Sequence, residues 1–275
     1  MTLKIRRALL SVLTIADLAA VAGVILTWVA RSRGLFGAVP TGATRIARWW
    51  TLWRPTGADE MTWVLAGLSF FAAFPLLAEL VLRRRFGRSP SPEIFFLRVF
   101  LLTLPLQVSR LIVPPVLDGL LPAAVGLMAA RIAWFGRFMG LAALLNVGLF
   151  STDIPFRRSG PVLGMSVLAS MAVAAMLPLD VTQPTGNLLY RSGAEIPLAL
   201  VCVSMEFLAV LSLGGVALTQ KNRRYSLLAG AMIPVVVGTD MASFLTRPLL
   251  VPGAALMVVG VLLFARETRK IYQWI

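Results

Sequence analysis

The chain has 275 residues, of which 58% are hydrophobic and only 14% charged, with a mean hydropathy of +0.84. Soluble domains carry about a quarter of their residues as charge, so this composition excludes a water-soluble globular fold. Histidine is absent and Cys202 is the only cysteine, which excludes imidazole catalysis, histidine-bound metal or haem, multi-thiol metal sites and an intrachain disulfide.

The first apolar run, residues 8–29, follows Lys4, Arg6 and Arg7. It is longer than the apolar core of a secretory signal and reads as an uncleaved first span. The long connection after it contains ATRIARWWTLW at 43–53, arginines mixed with tryptophans, which predicts a short helix lying at the headgroup level; an irregular loop is the plainer alternative. Span 2, residues 61–82, holds Pro75 and ends abruptly at Arg83-Arg84-Arg85, with Arg88 close behind. Span 3, residues 94–113, is broken near Pro105 and stops at Pro114-Pro115. Span 4, residues 123–150, is long enough to tilt.

Span 5, residues 161–179, leads into a polar turn region rich in Pro, Gly, Thr and Asn. Span 6 covers 196–219 and is followed by Lys221, Arg223 and Arg224. Span 7, residues 226–244, contains Pro234 and is separated by Arg247-Pro248 from span 8, residues 249–265, whose helix should continue onto the membrane surface with Tyr272 and Trp274 at the interface. The predicted fold is therefore all-α, a single polytopic membrane bundle of about eight helices, since continuous apolar runs near 20 residues cross the hydrocarbon as helix and strands would have to close a barrel. The span count is weakest at Arg247-Pro248 and at the segment 43–53.

Net charge is +14, from 26 Lys+Arg against 12 Asp+Glu. In a soluble protein that balance suggests nucleic acid; here the basic residues cluster beside spans, so anionic membrane lipid is the expected partner and nucleic acid is not. With both termini inside, fifteen basic residues fall in cytoplasmic segments and seven outside, five of those in the first long loop. The bias predicts N-in, C-in in a cell membrane, read as a bacterial cytoplasmic one, with other membrane subunits or a homodimer as further candidate partners.

The ionisable residues that the spans carry are Asp17, Arg110, Arg131, Arg137, Glu206 and Asp240. A charge in mid-bilayer costs about 2.5–3.5 kcal/mol on insertion scales, so these groups should face the bundle interior and find partners. Depth brings Arg137, Glu206 and Asp17 to one level, and Arg110, Arg131 and Asp240 to another, with Gln107, Ser109, Thr239 and Ser243 as a polar wall. Glu79 and Arg98 lie close enough to a boundary to snorkel.

Two arrangements separate the meanings of this network. Arginines that are all salt-bridged in a closed bundle would make it structural, while an open cavity with Arg110 and Arg131 unpaired would make it a site for an anion, which a guanidinium grips bidentately. No catalytic, nucleotide or metal motif occurs, and no cofactor is expected. The sequence favours a non-enzymatic sensor, receptor-like module or accessory subunit. The alternatives are a small transporter or binder of an organic anion or lipid headgroup, and a lipid-modifying enzyme without histidine or metal.

Overall fold

The structure, a computed structural model, describes residues 3–33, 60–86, 91–152 and 158–272; the segment 43–53 lies outside the described residues. The elements are α1 (Leu3–Ser32), α2 (Glu60–Phe86), α3 (Pro92–Thr103), a 3-10 segment (Leu104–Ile112), α4 (Val113–Leu117), α5 (Ala123–Phe150), α6 (Ser159–Met176), a hairpin of β1 (Leu179–Pro184) and β2 (Tyr190–Ser192), α7 (Glu195–Thr219), α8 (Arg223–Ser243) and α9 (Arg247–Tyr272). Among the described residues, 8 helical spans are long and apolar enough to cross a membrane, α3 to α4 counting as one. The chain is a polytopic helical membrane protein in contact with lipid.

Six of these spans close a ring: α2, the α3–α4 span, α5, α7, α8 and α9 each pack against the next, and α9 returns to α2. Outside the ring, α1 leans on α2 and α3, while α6 leans on α5. The hairpin caps one end of the bundle. At the opposite end Phe96, Phe100, Phe150 and Phe264 are buried together, with Phe96 stacked on Phe150 at 5.0 Å between ring centres. Glu93 ties that end shut, accepting from the hydroxyls of Ser91 (2.7 Å), Ser151 (3.2 Å) and Tyr272 (2.9 Å).

Lipid offers no water-driven force between helices, so close backbone approach and dispersion hold the ring together. The α8–α9 pair depends on it most. A Cβ on Gly238 would sit 2.6 Å from the Met257 amide nitrogen, and one on Gly260 2.7 Å from that of Val235. Those obstacles are backbone and no rotamer change relieves them. Gly164, Gly214, Gly215 and Gly230, by contrast, meet open space and need no packing explanation.

At the weak point, Arg247-Pro248 opens α9 and the break is a tight turn at 244–246 between two long helices of 21 and 26 residues. Leu245 takes a left-handed backbone there (φ 56) and its buried side chain fills the notch left by Gly67 on α2. Such a conformation costs a non-glycine residue about 1–3 kcal/mol, which the packing offsets.

Two sequence expectations change. Pro114-Pro115 does not end span 3: both residues sit in the first turn of α4, where a missing N–H costs nothing, and the span runs on to Leu117. The polar region after span 5 is not merely a turn. Leu179 pairs with Ser192 and Asp180 with Arg191 in an antiparallel ladder, so the bundle carries a small β element on an otherwise helical fold.

Candidate functional site

The third span supplies the arginine at the heart of the site through its unusual geometry. From Leu104 to Ile112 it winds as a 3-10 helix of 9 residues, far longer than the usual single turn. Pro105 opens the segment, and with three residues per turn Leu104, Gln107 and Arg110 stack on one face, all buried. The register is locked to α5, because Gln107 Nε2 donates to the Ala133 carbonyl (2.8 Å) and Ser109 Oγ to that of Ala129 (2.8 Å). Gln107 Oε1 in turn accepts from Arg110 Nη2.

Arg110 is only 4% exposed and has no carboxylate partner among the described residues. Besides Gln107, its acceptors are two backbone carbonyls reached by Nη1, Ser243 at 3.2 Å and Asn187 at 3.4 Å, while Nε has none. Bonds of that length are weak, and a buried cation held only by neutral acceptors remains poorly compensated.

The hairpin turns the Asn187 carbonyl inward. Thr185 Oγ1 donates toward the Leu189 carbonyl at 2.7 Å, Leu188 is left-handed (φ 59), and Leu188, Leu189 and Tyr190 are buried beneath the hairpin. On the exposed strand, Asp180 Oδ1 accepts from the Thr182 hydroxyl (2.6 Å) and amide (2.9 Å), which holds its carboxyl below the usual range. Burial pushes the Tyr190 phenol up, and its hydroxyl has no partner among the described residues.

On α5, two carboxylates converge on one nitrogen. Arg137 Nη2 on α5 meets Glu206 Oε1 of α7 at 2.9 Å and Asp240 Oδ1 of α8. Three helices of the ring are thus joined at one guanidinium. Counting Arg110, which lies within electrostatic reach of Arg137, the cluster carries two positive and two negative charges, but both negative ones belong to Arg137.

Between this cluster and the hairpin is a cavity of about 530 Å³, within the roughly 300–1,000 Å³ of small-molecule sites. Arg110, Arg137, Gln107, Asn187 and Asp240 form its polar end, while Trp134, Leu189, Leu198, Leu200, Val203 and Phe244 make apolar walls. A pocket of only about 20 Å³ continues beyond, and Gln107, Arg137, Asp240 and Ser243 line both. Ile196, Leu200 and Val203 line the large cavity yet are largely exposed on α7, so its wall borders the lipid face of that helix. At the rim, Arg191 is occupied by Glu195 (3.2 Å) and Gln183 (3.1 Å), an exposed arrangement of little energetic weight.

Of the six residues singled out in the sequence, the structure therefore brings Arg110, Arg137, Glu206 and Asp240 together. It does not bring Arg131 or Asp17 to them. Arg131 is half-buried on α5, does not line the cavity, and its Nε has no hydrogen-bond partner among the described residues. Asp17 is fully buried with neither oxygen partnered among the described residues, but its electrostatic neighbour is Glu79, because α1 packs outside the ring. Glu79 does not snorkel either: it is buried and takes a two-point grip from Arg98, Nε to Oε2 at 2.7 Å and Nη2 to Oε1.

Sequence reasoning missed the hairpin's contribution and Trp134, whose indole Nε1 lacks a partner at the cavity wall. The T-Q-P-T-G-N turn residues were the available signal for the hairpin. Among the described residues no three His, Cys, Asp or Glu side chains are placed to hold a metal ion. Comparisons with protein-family models, curated proteins and solved structures return no match.

Proposed function

We propose that this multi-pass membrane protein binds an amphiphilic anion in the cavity under the hairpin, its acidic head on Arg110 and its apolar tail along α7. The observation that carries this reading is Arg110 itself, a buried guanidinium with no carboxylate partner among the described residues, facing a cavity whose remaining walls are mostly apolar. Arginine suits carboxylate, sulfonate and phosphate heads alike, because its planar fork stays charged. The exposed α7 wall gives a tail a route from the bilayer. The binder reading therefore ranks above a purely structural subunit, and a sensor or a transporter would both use such a site.

The hairpin end is proposed to face outward, with both termini inside. Described basic residues support this: Arg83, Arg84, Arg85, Lys221, Arg223, Arg266 and Arg269 are exposed at the opposite end, where anionic cytoplasmic lipid would meet them. Cys202 is buried, so a cysteine placed at Asp180 should react with an impermeant maleimide from outside intact cells and one at Lys221 should not. The reverse labelling would invert the topology.

Native mass spectrometry of protein purified in lipid tests the binding. A singly bound anionic amphiphile that survives collisional stripping of bulk lipid, and is lost in Arg110→Gln, is the expected result. Equal retention of neutral and anionic lipids in both proteins would count against it.

A further inference from the structure

Away from the cavity, where α1 leans on the ring, two carboxylates share the neighbourhood of a single arginine. Asp17 and Glu79 each lie seven residues inside the ends of their spans opposite the hairpin, at Leu10 and Phe86, and Arg98 lies six residues inside Pro92. With a helical rise of about 1.5 Å per residue, all three sit about 10 Å from that end. Arg98 spends its guanidinium on Glu79, Nε donating to Oε2 at 2.7 Å and Nη2 to Oε1. Asp17 is fully buried, neither of its oxygens meets a donor among the described residues, and its electrostatic neighbour is Glu79.

An ionised carboxylate so placed has neither hydrogen bonds nor a counter-ion to offset its removal from water, and it faces a like charge. A metal ion does not fit the place. Neither Asp17 oxygen has room beside it for even a water, and among the described residues no three acidic side chains gather around an ion. A proton is the counter-charge that needs no room.

We infer that Asp17 is a proton-binding site: it holds its proton while α1 is seated on α2 and α3, and yields it to water when the half of α1 opposite the hairpin comes away. Glu79, held at two points by Arg98, stays ionised, so the two carboxyls take different roles from their surroundings. The site is separate from the cavity under the hairpin and does not rest on the binding reading. α1 is built to move in this way. It packs outside the ring, most of its surface is left to lipid, and its polar ties lie near the other end. There Trp28 Nε1 donates to Ser69 Oγ at 3.0 Å and Arg31 Nη2 to Thr62 Oγ1 at 2.9 Å, bonds that a charge on Asp17 leaves intact.

The charged groups on the elements around Asp17 are few. α2 presents Glu79, with Arg83 one turn further on and exposed. On α3, Arg98 is engaged by Glu79, and Glu93 is occupied by the hydroxyls of Ser91, Ser151 and Tyr272. The 3-10 segment carries Arg110, which is tied to Gln107 and to carbonyls beneath the hairpin. On α1 itself no other ionisable residue stands between Arg7 and Arg31. None of these offers Asp17 a free cation. Seated α1 thus binds a proton that undocked α1, its carboxylate in water, gives up. Undocking is least favourable at low pH and eases as pH rises, by up to about tenfold per unit, until the seated form has itself lost the proton.

The experiment is infrared spectroscopy and amide hydrogen exchange of the full chain in phosphatidylcholine nanodiscs, across about pH 5–9, with aspartate isotope-labelled at its side-chain carboxyl. An un-ionised acid carbonyl stretch that the label shifts is expected at low pH, fading as pH rises. It should vanish in Asp17→Asn and persist in Asp240→Asn. Exchange over residues 10–20, corrected for intrinsic rates, should quicken with pH in the unaltered protein and stay level in Asp17→Asn, while residues 24–32 change little. No label-shifted acid band in the unaltered protein at any pH would overturn the proton site, whatever the variants do. A band that survives in Asp17→Asn would overturn its assignment to this residue. A band that fades while exchange over 10–20 stays level would overturn the release of α1.

Discussion

Two buried arginine clusters share this bundle, and they are completed differently. Toward the end opposite the hairpin, Arg98 grips the buried Glu79 at two points, with the buried Asp17 as a second carboxylate nearby. Under the hairpin, Arg137 holds two carboxylates, but among the described residues Arg110 beside it is given only an amide and carbonyls, and a cavity opens in front of it. A charge that is fully paired where chains pack tightly holds helices in register. A charge left unpaired at the mouth of a cavity costs stability and has a use only when something else supplies the counter-charge.

Substitution should separate the two kinds of arginine. Arg137→Ala strands two carboxylates and Arg98→Gln the buried Glu79, and each should lower unfolding stability by about 3–5 kcal/mol, read as a lost or strongly depressed thermal transition in detergent. Arg110→Gln strands no carboxylate and should keep a transition near that of the unaltered protein. A collapse of Arg110→Gln on the scale of Arg137→Ala would erase the distinction.

Asp17 makes a smaller point about the same contrast. Its oxygens have no donors and its neighbour is another carboxylate, so Asp17→Asn removes a repulsion without removing a bond. Stability should rise or hold, by about 1 kcal/mol on the scale of an unsatisfied buried group. A loss as large as that of Arg98→Gln would mean that the carboxylate has a partner essential to the fold.

The hairpin should give the weakest signal. Thr182 holds the Asp180 carboxyl below its ordinary range, so this contact contributes local order above that range and loses it as pH falls through the folded value. Hydrogen exchange of the hairpin amides, corrected for intrinsic rates, should quicken at low pH in the unaltered protein. In Thr182→Val that acid response should be smaller.

How much of this was legible in the sequence depended on which physical constraint acted. The eight spans were legible because lipid forces each crossing to satisfy its own backbone and to carry an apolar surface along its length. Equal depth also predicted that Arg137 and Glu206 could meet. Depth is silent about azimuth, however. Arg110 faces the cavity because the 3-10 winding places it above Gln107, and nothing in helical periodicity announces nine residues of that winding. Arg98 and Glu79 looked close enough to the boundary to snorkel, yet their helices turn them toward each other. The hairpin escaped notice because its strands are short, polar and bulged between Asp180 and Pro184.

The most direct test of the unpaired arginine is equilibrium binding of dodecanesulfonate and of dodecanol, at mildly acid pH, to the protein and to Arg110→Gln in phosphatidylcholine nanodiscs. Saturable one-to-one binding of the sulfonate, at least about tenfold weaker in Arg110→Gln, with dodecanol binding little changed, is the result expected of a buried charge-assisted contact. Sulfonate binding that does not distinguish the two proteins would contradict the assignment of Arg110 as the anion's partner.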